Sequence, residues 1–260
     1  RPQIVRWLVR DAYDHDYVDI GEYLRFQTAL RRPLGLLPAK RATVGTLRKW
    51  ISELDERTLT ALVDFRLSDL YPRPSFSPEP RDSVAALKSI LHAAGSSWTV
   101  GDRNGRWGLV EALPDAVMAA AQAVVSQSGN ASQLLNAAWA NAFGVDKRPS
   151  HAYYDAVRAV EVFSCPLISP RDRSATLGKD INVLATKPEA WKFALSGDRS
   201  VERLLGAFRL LWHSQTDRHG REDYADVGVD EAQAAVLLAT AIVGWLSQGL
   251  LTRVPGSVVK

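Results

Sequence analysis

The sequence predicts an all-α protein: a helical bundle with one small β-hairpin near 97–110, between an N-terminal helical region and a C-terminal helical domain. Three observations point there. Apolar residues recur at i, i+3 and i+4 along most of the chain. Alanines crowd the apolar stripe of the last long segment, which suits close helix–helix contact. Period-two alternation is convincing in one place only, on either side of Asn104-Gly105.

Taken in order, residues 2–12 place Ile4, Val5, Leu8 and Val9 at helical spacing. Ile20 to Leu30 repeats the pattern after the acidic run Asp14-His15-Asp16, and Pro33 and Pro38 bracket a break. Thr43 or Thr46 is placed to cap a helix through Leu47, Trp50, Ile51 and Leu54. Another helix runs from Asp55 to Leu70. Tyr71 to Pro80 holds four prolines and reads as the clearest linker, because Pro cannot continue a helix. Ser83 to Ala94 is helical, and Trp98, Val100, Trp107 and Leu109 then form the hairpin. Beyond Pro114 the pattern predicts helices over 114–127, 130–143, 149–164, 174–185, 188–195, 199–214 and 230–249. Asp230 with Gln233 resembles a capping box on the last of these. The expected division is an N-terminal helical domain over 1–72, a linker, helix and hairpin over 73–113, and a helical domain over 114–260.

Composition narrows the class. A 46% hydrophobic fraction is ample for a packed core over 260 residues. The most apolar segment, Ala232 to Leu246, is interrupted by Gln233 and Gly244, so no membrane span is expected. Cys165 is alone, which excludes a disulfide within the chain and a thiolate-rich metal site, and fits a reducing cytoplasm. Net charge is +3, with ten Lys/Arg against five Asp/Glu in residues 1–50. That basic skew suits an acidic partner or simply a solvated helical surface.

One segment concentrates chemistry: His213-Ser214-Gln215-Thr216-Asp217-Arg218-His219-Gly220. Imidazole moves protons near neutral pH and guanidinium holds phosphate, so His219 reads as a general acid or base and Arg218 as a phosphate clamp. The same residues would equally end a helix, with Gly220 as a left-handed cap and cations in the last turn. His213 and His219 lack the i, i+4 spacing of a zinc helix, so no metal and no cofactor are expected. Arg158 and Glu161 are i, i+3 neighbours, which suits a surface ion pair or a carboxylate that orients an imidazole or arginine. Thr176-Leu177-Gly178-Lys179 lacks the first half of a phosphate loop and reads instead as a helix cap at Thr176. Trp139, Trp191, Trp212 and Trp245 fall at apolar helix positions and read as packing residues.

The order of these pieces carries a resemblance. Leu134-Leu135-Asn136-Ala137-Ala138-Trp139 comes first, then Ala152-Tyr153-Tyr154-Asp155-Ala156-Val157-Arg158-Ala159-Val160-Glu161. Thr176-Leu177-Gly178, Arg218-His219-Gly220 and the Ala-rich helix from Glu231 follow. Residues 130–250 thereby resemble an abortive-infection (Abi) family C-terminal domain, a branch of the HEPN superfamily. The resemblance implies an α-helical bundle that pairs with a second copy through its C-terminal helices. It also implies metal-independent RNA cleavage of anti-phage toxin type, with His219, Arg218 and His213 catalytic and Glu161, Asp217 and Arg158 in support. Active members carry Arg-x4–6-His, whereas the slot with five intervening residues before His219 here holds His213. Three alternatives follow: His213 substitutes, Arg218 serves instead, or the module is non-catalytic and binds RNA or a partner protein. Residues 1–110 match no named family and would face the trigger or partner.

Overall fold

The computed structural model describes residues 1–9, 17–19, 21–30, 41–70, 79–103, 105–127, 129–195, 199–213 and 227–255. The chain is mostly helical and divides into two compact units, Arg1–Ala112 and Leu113–Lys260.

The first unit contains α1 (Pro2–Leu8), α2 (Gly21–Ala29), α3 (Val44–Glu53), α4 (Glu56–Asp69) and α5 (Glu79–Ala93). Local chemistry sets several boundaries. Thr43 caps α3 by accepting from the Thr46 amide, and Asp55 caps α4 by accepting from the Thr58 amide. The expected hairpin is present as β3 (Trp98–Arg103) and β4 (Arg106–Glu111), with Gly105 at φ 81° in its turn. The hairpin is latched to α4 by Asp64. Its carboxylate accepts from Arg103 Nη1 at 2.8 and 2.7 Å and from the Leu109 amide at 2.7 Å. On α1, Trp7 donates its indole N–H to the Ser83 carbonyl of α5 at 2.8 Å. A further antiparallel pair, β1 (Tyr17–Asp19) with β2 (Arg41–Thr43), was not expected from the sequence. The linker at 71–78, the Asp14–Asp16 run, the Pro33–Pro38 break and Asn104 lie outside the described residues.

The second unit contains α6 (Asp115–Gln127), α7 (Ala131–Phe143), α8 (Pro149–Ile168), α9 (Leu177–Thr186), α10 (Ser200–His213) and α11 (Val229–Ser247). Its centre is the packing of α8 against α7 and α11. Small residues make this possible: Ala138, Ala152, Ala156, Ala159, Ala232 and Ala239 are completely buried. Trp139 ties α7 to α11 by donating to Thr240 Oγ1 at 3.0 Å. By length and composition alone α11 is long and apolar enough to cross a membrane, a test that a buried core helix also passes. Within the unit it is a core helix, with Val236, Ile242 and Val243 fully buried.

Three expected features of this unit are corrected. The 188–195 helix is instead a 3-10 turn, Pro188–Ala190, followed by β5 (Trp191–Phe193). The strand pairs antiparallel with β6 (Leu251–Arg253), so Trp191 lies on a strand rather than a helix. Tertiary pairing and the burial of Trp191 and Phe193 outweigh local helical preference. Second, α8 continues a turn beyond 164, through Pro166, because Ile168 is drawn into the core. Third, α11 is preceded by Gly228 without a side-chain cap, and Gln233 donates instead to the Ala142 carbonyl of α7. Thr176 does cap α9, accepting from the Lys179 amide.

Candidate functional site

The neighbourhood of interest forms where three helices of the second unit meet. On α8, Ala152, Tyr153, Ala156, Val157, Ala159 and Val160 face the core. Helical periodicity therefore leaves His151, Tyr154 and Arg158 exposed and Glu161 half-buried at the boundary. Glu161 Oε1 accepts from the Leu177 amide at 2.9 Å, at the first turn of α9. A carboxylate is favoured there because the opening amides of a helix lack partners and carry partial positive charge.

The next residue, Gly178, lies directly against Trp212. A Cβ added at Gly178 would stand 2.5 Å from the indole ring. One position earlier on α10, the Leu211 carbonyl accepts from the buried Tyr153 hydroxyl at 2.7 Å. The last turn of α10 is thus fixed from two sides, by Tyr153 of α8 and by the start of α9. His213 is the final residue of that helix. Asp217, Arg218 and His219, together with Gly220, lie outside the described residues.

Two side chains differ from the pairing read in the sequence. Arg158 and Glu161 form no salt bridge with each other. The Arg158 guanidinium stacks over the Tyr154 ring, 5.5 Å from its centroid, while Glu161 is engaged by α9. Asp155, on the same exposed side, has its carboxyl held above the usual range by burial, opposed by the positive charges of Arg158 and His151. The sequence reading took Trp212 as a packing residue and gave Asp155 and Tyr153 no individual role. Tyr153 could not be found from pattern alone, because its acceptor lies on another helix.

Asp180 of α9 was also missed. It is completely buried and accepts from the Ser169 hydroxyl at 2.6 Å. Beside it, Cys165 has its thiol pushed up to about 12, first by burial and then by the negative charge of Asp180. A thiol held neutral is a poor nucleophile. Iodoacetamide at mildly alkaline pH is therefore expected to label Cys165 about tenfold or more slowly in the native protein than in denaturing urea. Equal rates would remove this account. Because the unfolded thiol ionises near 9.0 and the folded one near 12, this group's contribution to stability is present below that window. It declines as pH rises through it.

Compared with protein-family models, curated proteins and solved structures, the chain shows no match.

Proposed function

We propose that the second unit is an abortive-infection-type HEPN-like domain that cleaves RNA without a metal. The observation that carries the reading is the fixed end of α10. Tyr153 holds Leu211, Gly178 receives Trp212, and Glu161 anchors the α9 turn that contacts it. A catalytic segment beginning at His213 would thereby start from a rigid support, as a reactive constellation requires. The ordered motifs from Leu134 to Glu231 supply the rest of the support.

In the proposed reaction one imidazole, His219 or His213, takes the proton from a ribose 2′-OH as it attacks the adjacent phosphorus. The other imidazole gives a proton to the departing 5′-oxygen. The products are a 2′,3′-cyclic phosphate and a free 5′-OH. Arg218 balances the charge of the phosphorane, with Asp217 and Arg158 as further polar support. Glu161 acts through position, since its hydrogen bond is to the α9 backbone. The reading includes a cytoplasmic protein, a second copy docked through the C-terminal helices, and a trigger or partner met by residues 1–110.

A second reading rests on the histidine at 213, where the resemblance expects arginine. It makes the unit a non-catalytic module that binds RNA or a partner protein. One experiment separates the two. Wild type and His219→Ala are induced in bacteria with and without phage infection, and growth and RNA ends are compared. Nuclease action predicts growth arrest and RNA bearing 2′,3′-cyclic phosphates in the wild type. Cleavage in the variant should fall by about 10²–10⁴-fold, as for loss of a general acid or base. Intact RNA and equal growth of both, infected and uninfected, would exclude nuclease action and leave the binding module.

A further inference from the structure

A cleft of about 370 Å³ opens in the second unit between β5, the first two turns of α10 and the end of α11. Its walls are apolar. Phe193 and Trp245 meet edge to face with ring centroids 5.6 Å apart, and Leu204 and Ala207 continue the surface along α10. On the lip stands Leu195, 64% exposed. Among the described residues two polar side chains line the cleft, Ser200 and Arg203. The Arg203 guanidinium makes neither an ion pair nor a hydrogen bond among the described residues, the backbone amide alone being bonded, to the Arg199 carbonyl. The cleft thus joins an apolar wall to a guanidinium that no described carboxylate pairs with.

We propose that this cleft binds a small amphipathic carboxylate, an aliphatic or aromatic acid of modest size. Ligand sites are typically apolar concavities with a few polar groups that fix orientation, with volumes of about 300–1,000 Å³. The space available matches on the order of a dozen water-sized groups, the size of a medium-chain acid. The guanidinium fork suits a planar carboxylate, and the Ser200 hydroxyl offers one more donor. A bare phosphate would use the donors and leave the apolar wall unmatched. A neutral hydrocarbon would fill the wall and leave Arg203 without a counter-ion. The first turn of α10 adds favourable partial positive charge for an anion, and Glu202, the acidic residue there, does not line the cleft. This inference is independent of the nuclease reading.

The full chain is titrated with decanoate, decanol and inorganic phosphate by calorimetry, at concentrations where the acid is monomeric. Saturable decanoate binding at one site is expected, at least about tenfold tighter than decanol, with no binding of phosphate. Arg203→Gln should erase the preference for the acid over the alcohol. Leu195→Glu should weaken decanoate more than decanol, since it places a like charge on the lip. Both residues are solvent-facing, so both variants should melt as the wild type does. Ala207→Phe should abolish both ligands by filling the cleft. Equal affinity for acid and alcohol, an unchanged preference in Arg203→Gln, or absence of saturable decanoate binding would each overturn the proposal.

Discussion

Replacing Asp64 by Ala is expected to destabilise the first unit by about 3 kcal/mol, the scale for breaking a largely buried ion pair by removing one partner. The carboxylate serves two groups at once. It balances Arg103, whose side chain is 22% exposed, and it satisfies the Leu109 amide in the middle of β4. Alanine would leave a poorly hydrated guanidinium and a buried N–H without partners, and each carries its own desolvation cost. Asp64→Asn should cost less, since an amide oxygen still accepts from Leu109. Urea unfolding with hydrogen exchange at the hairpin amides measures both. The alanine variant should lose protection first at β3 and β4. A loss under about 1 kcal/mol would mean that water already shares Arg103, as at an exposed pair.

Gly178→Val should destabilise the second unit by about 3 kcal/mol, at the upper end of overpacking penalties. Helix propensity argues the other way, because a glycine within a helix is ordinarily about 0.5–1 kcal/mol worse than alanine. The contact decides the sign. An added Cβ would meet Trp212 carbons at 2.5 and 2.6 Å, too close for small adjustments, so the indole or the start of α9 must move. The double variant Gly178→Val with Trp212→Leu should recover much of the loss. The non-additive part of that cycle reports the contact itself. Additive costs would show that the close approach is not what makes valine unfavourable. On the proposed function, Gly178→Val should also depress RNA cleavage while every histidine remains.

Much of the fold is legible in the sequence, because helical periodicity over ten or more residues is a strong local signal. Asn104-Gly105 between alternating runs located the hairpin for the same reason. The misreadings share a different cause. Trp191-Lys192-Phe193 alternates over only three residues, and its partner strand begins at Leu251. Gln233 reads as half of a capping box until the Ala142 carbonyl of another helix comes within 3.2 Å. The helix expected to end at 164 continues through Pro166 to Ile168, which is buried. Of the candidate site, the sequence identified Glu161 and Gly178 as parts of one ordered series. It could not show that Glu161 turns to a backbone amide sixteen residues on, or that Gly178 is a seat for an indole.

The alanine-lined centre of the second unit has a consequence for how this protein can diverge. Ala152, Ala156 and Ala159 are completely buried on α8, and side chains this small let packed helix axes approach toward the low end of the ~8–10 Å range. No larger residue fits there without separating α8 from its neighbours, and a polar one finds no water. Descendants should hold these positions to alanine or glycine. Outward-facing residues of the same helices, such as Tyr154 and Leu237, are free to drift by comparison. The alanines would then be the most durable signature of this lineage, a recurring spacing of small residues that outlasts the similarity of everything around it.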